Sequence, residues 1–353
     1  MRSINITLES ECYDLNLTFK PSFVSSTYKQ IEKNVWKKFD SPMFRGLTIR
    51  QEKRNILIKG LVSIDRERIE DFVFAETGLW HAPFEYDIHK VSKKFRWVLE
   101  EFSYLYSGVR IPVSLFEQDK IFIAVCLSKR TDYEVFVRSW MEKILEKYGN
   151  NVLDIVYASK EDLLKIGTSY QIFDLIDTLK SATIFHKSLE NLPTYVKEHL
   201  HYRERIENPF RFLSTEIPPQ IARMVLISKV KGIGPKTADS YLLNTSFHTD
   251  IAPVDTHLRN VIMRLQLFGE NLKTPQSNLC SKYVCRKYVS RKLKIPLCPM
   301  SNSCIRVKIL ELGELAGWFQ TLIYLFGREY CRKNKPQCDT CPLKKDCNYF
   351  SST

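Results

Sequence analysis

The chain has 353 residues, 44% of them hydrophobic, which is enough to bury a core in two or three domains. Lysine and arginine total 53 against 40 acidic residues, so the net charge is +13, which favours a polyanionic partner, nucleic acid before a membrane surface. No apolar run of about 18 residues exists, which excludes a membrane span, and the first residues lack the apolar segment of a secretory signal, so we expect an intracellular protein of the cytoplasm or nucleoid.

The sequence contains ten cysteines. In an intracellular chain, clustered cysteines indicate metal binding more often than disulfides. Cys12 and Cys126 stand alone and are expected to be buried apolar residues. The other eight follow residue 279 in two sets of four, so any metal chemistry is expected in the last quarter of the chain.

Residues 1–111 are predicted to form a β-rich domain. Apolar residues alternate in INITL and again in DLNLTF, as they do in strands. LTI and NILIKGLV repeat this period on either side of the polar turn RQEKR, which indicates a hairpin. A helix is predicted later in the domain, around VSKKFRWVLEEFSYLYSG.

From residue 112 to residue 270 the periodicity is helical almost throughout. The predicted helical segments are FIAVCLSKRTDYEVFVRSWMEKILEKYG, SKEDLLKIG, IFDLIDTLKSA, LPTYVKEHL and PPQIARMVLISKV. The sequence therefore predicts an α+β protein, in which an antiparallel β-sheet domain precedes a mostly helical core.

Within this core, ISKVKGIGPKTADSYLL predicts two helices joined by a tight turn. The first helix ends near Val230, Gly232 and Gly234 form the turn, and Pro235 suits the first position of the second helix. Glycines at this spacing leave backbone N–H groups accessible to a phosphate, although an ordinary helix corner has the same pattern. Lys231, Gly232 and Gly234 are therefore candidate DNA contacts.

Two charged residues near this turn are candidate catalytic groups. Lys236 lies in the first turn of its helix, where the helix dipole disfavours a cation and favours the neutral amine that can attack carbon. Asp255 follows 19 residues later, directly before another helix. It is suited to capping that helix, and the cap position would also orient its carboxylate.

The run from Gly232 to Leu265 resembles the helix-hairpin-helix and Gly/Pro-Asp motif of base-excision DNA glycosylases, most closely the endonuclease III branch. In that family the lysine attacks the sugar C1′ of a damaged nucleotide, and the aspartate assists the attack and stabilises the positive charge on the sugar. The resemblance implies these roles for Lys236 and Asp255. One residue more separates them than in endonuclease III, a spacing similar to that of 8-oxoguanine glycosylases.

The lysine itself discriminates between two activities. Family members that only cut the glycosidic bond lack it, so Lys236 implies a glycosylase that is also an AP lyase. The implied partner is damaged double-stranded DNA, from which the target base is flipped. Endonuclease III, however, has no counterpart of the β-rich domain. That domain and the segment GVRIPVSLFEQDKIFIAVCLS are similar instead to the front of AlkA and of the 8-oxoguanine glycosylases.

The segment after Ser128 matches the place where the family puts a residue that fills the gap left by the flipped base. Arg130 stands there and could stack and donate hydrogen bonds to the unpaired base. The alternative is a surface arginine near the phosphate backbone. Ser128, His257 and Tyr241 either line the base pocket or are packing residues.

Residues 271–304 interrupt the helical pattern with a basic, cysteine-bearing insertion. Its cysteines have the spacing C-x4-C-x12-C-x5-C and are Cys280, Cys285, Cys298 and Cys304. They form a candidate zinc site, with disulfides or free thiols as the alternatives. The many lysines and arginines around them suit either a DNA-facing flap or a solvated face.

Residues 305–353 return to a helix, GWFQTLIYLFGREYC, and end in a second cysteine set. Cys331, Cys338, Cys341 and Cys347 lie within 17 residues in the spacing C-x6-C-x2-C-x5-C, which predicts a cluster-binding loop, with zinc or two disulfides as alternatives. The spacing resembles the signature of endonuclease III and implies a [4Fe–4S] cluster. Arg332 and Lys333 belong to the basic residues of this loop and are candidate phosphate contacts.

The sequence thus favours a monomeric bifunctional glycosylase/AP lyase for damaged bases, with oxidised bases as the first expectation. One alternative is an AlkA-like monofunctional glycosylase for alkylated bases, which the front domain favours and Lys236 opposes. Another is a non-catalytic iron–sulfur protein that only binds lesions. Lesion binding needs neither Lys236 nor Asp255, so the presence of both opposes that alternative.

Overall fold

The computed structural model describes residues 1–149, 151–185, 194, 197 and 208–351. Its N-terminal part contains a five-stranded antiparallel sheet in the order β1-β5-β4-β3-β2. The strands are β1 (Arg2–Glu9), β2 (Tyr28–Glu32), β3 (Val35–Lys38), β4 (Phe44–Glu52) and β5 (Asn55–Val62). A mostly helical core follows, so the predicted fold class is confirmed.

The hairpin predicted around RQEKR is strands β4 and β5. Ile49 pairs with Ile58 across it, and Ile56 and Ile58 both point into the core, as alternation requires. INITL is likewise a strand. The prediction for DLNLTF was wrong, because this segment is the short helix α1 (Leu15–Phe19). Asp14 caps it by accepting a hydrogen bond from the Leu17 N–H at 2.8 Å, and that cap overrides the alternating pattern.

The remaining α-helices include most of the predicted helical segments, one of which is divided into two helices, and several short helices that were not predicted. They are α2 (Ile69–Thr77), α3 (Lys93–Leu105), α4 (Gln118–Leu127), α5 (Arg138–Tyr148), α6 (Lys160–Ile166), α7 (Tyr170–Ile184), α8 (Pro209–Arg211), α9 (Pro219–Lys229), α10 (Pro235–Thr245), α11 (Thr256–Leu265), α12 (Ser277–Cys280), α13 (Lys287–Leu293), α14 (Ile305–Ile309), α15 (Leu315–Glu329) and α16 (Asn348–Ser351). Most of the predicted helix LPTYVKEHL lies outside the described residues. Within the described ranges, no helix is long and apolar enough to cross a bilayer.

A buried charge cluster joins the sheet to the helical core. Lys38, at the end of β3, is fully buried, and its Nζ lies 3.0 Å from a Glu76 oxygen on α2 and 2.9 Å from a Glu117 oxygen beside α4. Burial alone would lower the pKa of Lys38, but Glu117 and Glu76 raise it overall, so the ammonium stays charged. Tyr28 completes the cluster by donating its hydroxyl to Glu76 at 2.6 Å. Removing the ammonium of Lys38 would leave Glu76 and Glu117 without their shared counter-charge in the core.

Candidate active site

The turn between α9 and α10 has the geometry that its glycines suggest. Helix α9 is capped by Val230, and Gly232 follows with φ +75°, in the left-handed region that favours glycine. Gly234 is the N-cap of α10 and Pro235 its first residue. Both glycines line a cleft of about 1050 Å³, so the turn presents its backbone to the same space as the side chains described next.

Lys236 extends from the first turn of α10 into this cleft. Its Nζ donates a hydrogen bond to Ser128 Oγ at 2.9 Å and lies 5.2 Å from the centre of the Phe23 ring. Burial lowers the pKa of Lys236 below its ordinary value, and the charges of Asp255 and Cys126 offset only part of that effect. The cause is therefore burial rather than the helix start invoked from the sequence. A lowered pKa increases the fraction of neutral amine, which is the nucleophilic form.

Asp255 is the N-cap of α11 and lines the same cleft. Its Oδ1 accepts a hydrogen bond from the Leu258 N–H at 2.7 Å, which fixes the carboxylate relative to the helix start. Burial raises the pKa of Asp255, while the Leu258 N–H and the charges of His257 and Lys236 act to lower it. Lys236 and Asp255 line the same cleft and interact electrostatically. The charge of Asp255 acts to raise the pKa of Lys236, and the charge of Lys236 acts to lower the pKa of Asp255.

The other candidate pocket residues differ in whether they line the cleft. Ser128 is buried and accepts the Lys236 hydrogen bond, and His257 lines the cleft with its ring edge-on to Tyr324 at 5.4 Å. Tyr241 does not line this cleft. It is 1% exposed, donates its hydroxyl to the Phe210 carbonyl at 2.8 Å and packs in the core. Of the three, Tyr241 is therefore a packing residue.

Two groups of residues that line the cleft were not identified from the sequence. Helix α15 presents Gln320, Tyr324 and Arg328 to it, each four residues from the next and so on one helix face. This polar stripe on an otherwise apolar helix was the signal available in the sequence. Phe23 comes from the N-terminal domain, and its ring packs edge-on against Tyr133 at 4.9 Å. No local pattern links Phe23 to a lysine more than 200 residues later.

Arg130 lies at the rim of the cleft, in the loop that follows α4. Its φ is +55°, a left-handed conformation that costs a non-glycine residue about 1–2 kcal/mol. The adjacent Asp132 stabilises the loop by accepting hydrogen bonds from the N–H groups of Glu134 and Val135 at 2.9 and 3.1 Å, and Arg328 Nη1 donates to it at 3.3 Å. The loop thus holds an exposed arginine in a strained conformation in the same cleft as Lys236, as residues at functional sites often are.

The remaining candidate DNA contacts lie on two edges of the cleft. Lys231 is exposed next to the glycine turn, where its ammonium pairs with Asp177. Arg332 and Lys333 begin the cysteine loop, and Lys333 lines the cleft. Arg332 donates through Nε to the Arg328 carbonyl at 2.8 Å, so this edge is connected to the polar face of α15.

The cysteines of the C-terminal loop surround one pocket. Cys331, Cys338, Cys341 and Cys347 all line it, together with Arg264 from the last turn of α11. Arg264 Nη1 donates to Cys331 Sγ at 3.2 Å and to the Arg332 carbonyl at 2.9 Å. Four convergent thiols with an arginine beside them fit a thiolate-bound cluster.

The cysteines of the insertion are also close to one another. Cys280, Cys298 and Cys304 are buried, and Cys285 is partly buried beside Arg306. No disulfide joins cysteines in the part of the chain that the structure describes, so the disulfide alternative is not realised in either set. Among the described residues, no three Cys, His, Asp or Glu side chains are grouped tightly enough to hold a single metal ion.

Comparison with known proteins points to DNA glycosylases. Residues 171–285 match the family model of 8-oxoguanine DNA glycosylase. The endonuclease III of Sulfolobus acidocaldarius is 33% identical over 138 residues, which cover 39% of this chain and 49% of that protein. DNA glycosylase/AP lyase ROS1 of Arabidopsis thaliana is 28% identical over 188 residues, 51% of this chain and 12% of that protein. The chain thus spans about half or less of the length of these two relatives.

Solved structures show the same fold over nearly the whole chain. The 8-oxoguanine glycosylase/lyase of Clostridium acetobutylicum bound to DNA has a TM-score of 0.60 at 14% identity and covers 92% of this chain and 98% of that one. The 3-methyladenine DNA glycosylase of Archaeoglobus fulgidus has a TM-score of 0.54 at 16% identity, covering 92% and 98%. The likeness extends over the β-sheet domain as well as the helical core.

Proposed function

We propose that the chain is a helix-hairpin-helix DNA glycosylase and, within that family, a bifunctional DNA glycosylase/AP lyase of base-excision repair; the match of residues 171–285 and the shared fold support this assignment. The proposal rests on the position of Lys236 and Asp255 in the same cleft. The amine has a pKa lowered by burial, and the carboxylate is fixed at a helix start in the same cleft. DNA binding alone requires neither feature.

The chemistry follows from these two groups. After the target base has left the stack, the glycosidic bond weakens and positive charge develops on the sugar, which the Asp255 carboxylate stabilises. Lys236 Nζ forms a bond to C1′ as the base departs with a proton. Bond formation leaves the nitrogen as a secondary ammonium, which passes one proton to Asp255. The nitrogen lone pair then forms the C1′=N bond while the C1′–O4′ bond breaks and O4′ takes that proton from Asp255, which gives a ring-opened iminium that keeps one N–H. Loss of a C2′ proton then breaks the C3′–O bond and releases the 3′ phosphate.

We further propose that Cys331, Cys338, Cys341 and Cys347 hold a [4Fe–4S] cluster. Their soft thiolate donors suit this group, and Arg264 would hydrogen-bond to one ligand sulfur. When bound, the cluster would fix the basic loop that contains Arg332 and Lys333 beside the cleft. Those cations, with Lys231, would contact phosphates of damaged double-stranded DNA, and Arg130 would fill the gap left by the flipped base.

We expect oxidised bases as the substrates, because the matched family model is that of an 8-oxoguanine glycosylase. The fold likeness to a 3-methyladenine glycosylase keeps alkylated purines as the second candidate class. Both classes leave the same positive charge on the sugar, so Asp255 serves either. Lys236 is the residue that separates the bifunctional from the monofunctional mechanism.

The test is borohydride trapping on duplexes that contain an abasic site, an oxidised pyrimidine, 8-oxoguanine or an alkylated purine. We expect a covalent adduct with the full chain and none with Lys236→Ala. The matched control is Lys229→Ala, which removes a lysine of α9 that does not line the cleft and should leave the adduct unchanged. Base release without any adduct would establish the monofunctional mechanism instead. Tight lesion binding with neither release nor adduct would indicate a non-catalytic binding protein.

A further inference from the structure

The other three cysteines of the insertion come from segments that meet near Cys285. A backbone bridge between Val284 and Leu297, with the Cys298 N–H donating to the Val284 carbonyl at 2.9 Å, places Cys285 beside Cys298. Cys304 is the N-cap of α14, and Arg306 in the first turn of that helix contacts Cys285 Sγ at 3.2 Å. Cys280 ends α12, which packs against α9, the helix that carries Arg223. Residues distant in the insertion thus converge on one point, although the insertion has little core of its own.

The surroundings of these thiols carry an uncompensated positive charge. Arg223 Nε and Arg306 Nη2 each lie 2.8 Å from Oδ1 of Asp239, and all three side chains are at least 93% buried. Two guanidinium groups therefore share one carboxylate in a region shielded from water. Such a surplus is unfavourable unless another anion is close.

The N–H groups of Arg306 and Arg223 that do not bind Asp239 interact with the cysteines. Arg306 Nη1 donates to Cys285 Sγ at 3.2 Å. Arg223 Nη2 is buried without a hydrogen-bond partner at normal distance in the described part of the chain. The interactions that act on Arg223 come from Asp239, Cys280 and Cys285. Thiolates at these positions would supply both the missing negative charge and the missing acceptor.

The C-terminal cysteine set has the same arrangement. There too an arginine, Arg264, donates to a thiol, Cys331 Sγ, at 3.2 Å, and there too the last two cysteines are separated by five residues. Hydrogen bonds from cationic groups to ligand sulfurs are the usual surroundings of thiolate-bound metals. The chain therefore places an arginine beside a cysteine in both sets.

We propose that Cys280, Cys285, Cys298 and Cys304 bind a second metal centre through four thiolates, independent of the C-terminal loop. The ligand chemistry is that of a tetrathiolate. Since no three Cys, His, Asp or Glu side chains of the described residues are grouped tightly enough for a single metal ion, a second iron–sulfur cluster suits these thiols better than one zinc ion. The centre would give a basic segment with little core a rigid scaffold. Through Arg223 and Arg306 it would be connected to Asp239, which lies on α10 three residues after the nucleophile.

The first test is the metal content of the full chain purified without oxygen. Iron, acid-labile sulfide and zinc are counted per chain. We expect about a doubling of the iron and sulfide that one cluster accounts for. About one zinc per chain in place of the additional iron would overturn the second cluster in favour of a single-ion site. A content of one iron–sulfur cluster and nothing else would overturn the proposal without any variant.

Single substitutions assign the metal to one set or the other. Cys285→Ser should remove only the additional metal, and Cys338→Ser only the metal of the C-terminal loop. Cys12→Ser, outside both sets, should change neither content. A Cys285→Ser protein with the wild-type content would refute the second centre. Because the readout is metal stoichiometry, its outcome is independent of the borohydride trapping that tests the proposed activity.

Discussion

Replacing Asp255 by asparagine should separate its catalytic role from its structural one. The carboxylate does two things in the structure: it caps α11 through the 2.7 Å hydrogen bond from Leu258 N–H, and it faces Lys236 across the cleft. Asparagine caps a helix about as well as aspartate but carries no charge. Asp255→Asn should therefore retain the fold and lose the stabilisation of a cationic sugar.

The two effects have different sizes. Loss of the cap in Asp255→Ala should cost about 1 kcal/mol. With an unfolding entropy of about 2.1 cal/mol/K per residue, this lowers the melting temperature by about 1–2 °C, whereas Asp255→Asn should shift it by less. Loss of one preorganised electrostatic contact to a developing charge typically costs about 3–4 kcal/mol, so both variants should react about 10²–10³-fold more slowly.

The assay is single-turnover borohydride trapping on a duplex with a preformed abasic site, because this reaction does not require the natural lesion to be known. Melting temperatures are measured on the same preparations. Two results would refute the reasoning. An Asp255→Asn protein within threefold of the wild-type rate would remove the carboxylate from the mechanism, and an Asp255→Asn protein destabilised as much as Asp255→Ala would show that the cap depends on charge.

Three further outcomes are expected. The trapping rate should rise with pH and level off below pH 10.5, because burial lowers the pKa of Lys236 and only the neutral amine attacks; a rate independent of pH between 6 and 10 would contradict this. Gly232→Ala should cost about 1 kcal/mol in a urea titration, since residue 232 has φ +75°, and should weaken binding to undamaged duplex as well; unchanged stability would contradict the strain. Arg264→Gln removes the donor to Cys331, so the visible absorbance of the bound cluster should be lost about tenfold faster in air; equal rates would show that the contact is incidental.

The turn between α9 and α10 and the cap of α11 were predictable because their signals are local. Glycines that require a turn, a proline that starts a helix and an aspartate that caps one all act within a few residues of themselves. The same kind of local signal explains the one wrong strand, since a single cap at Asp14 overrode the alternation of DLNLTF. Strands β4 and β5 were predicted correctly because their pairing partners are adjacent in sequence.

Contacts between distant segments were not predictable. Phe23 approaches Lys236 only because the N-terminal domain packs against the helical core, and no sequence period encodes that approach. The origin of the lowered pKa of Lys236 was missed for the same reason, since burial depends on the whole cleft. The cysteine spacings predicted two metal-binding segments, but not the arginines beside them. Arg264 comes from α11, whose sequence contains no cysteine, and Arg306 lies two residues after Cys304 but contacts Cys285, 21 residues before it.

Helix α11 connects the cleft with the C-terminal cysteine loop. Asp255 at its start lines the cleft, and Arg264 in its last turn contacts the loop. Nine residues separate them, a rise of about 14 Å along the axis. Deleting or inserting one residue would rotate Arg264 by about 100° relative to Asp255, so the carboxylate could no longer face the cleft while the guanidinium faced the cysteine loop. The exposed positions of α11 are free to change in sequence, but its length is not. Among homologous proteins that keep both the carboxylate in the cleft and the arginine at the cysteine loop, insertions and deletions should therefore occur before Asp255 or after Gln266, and not between them.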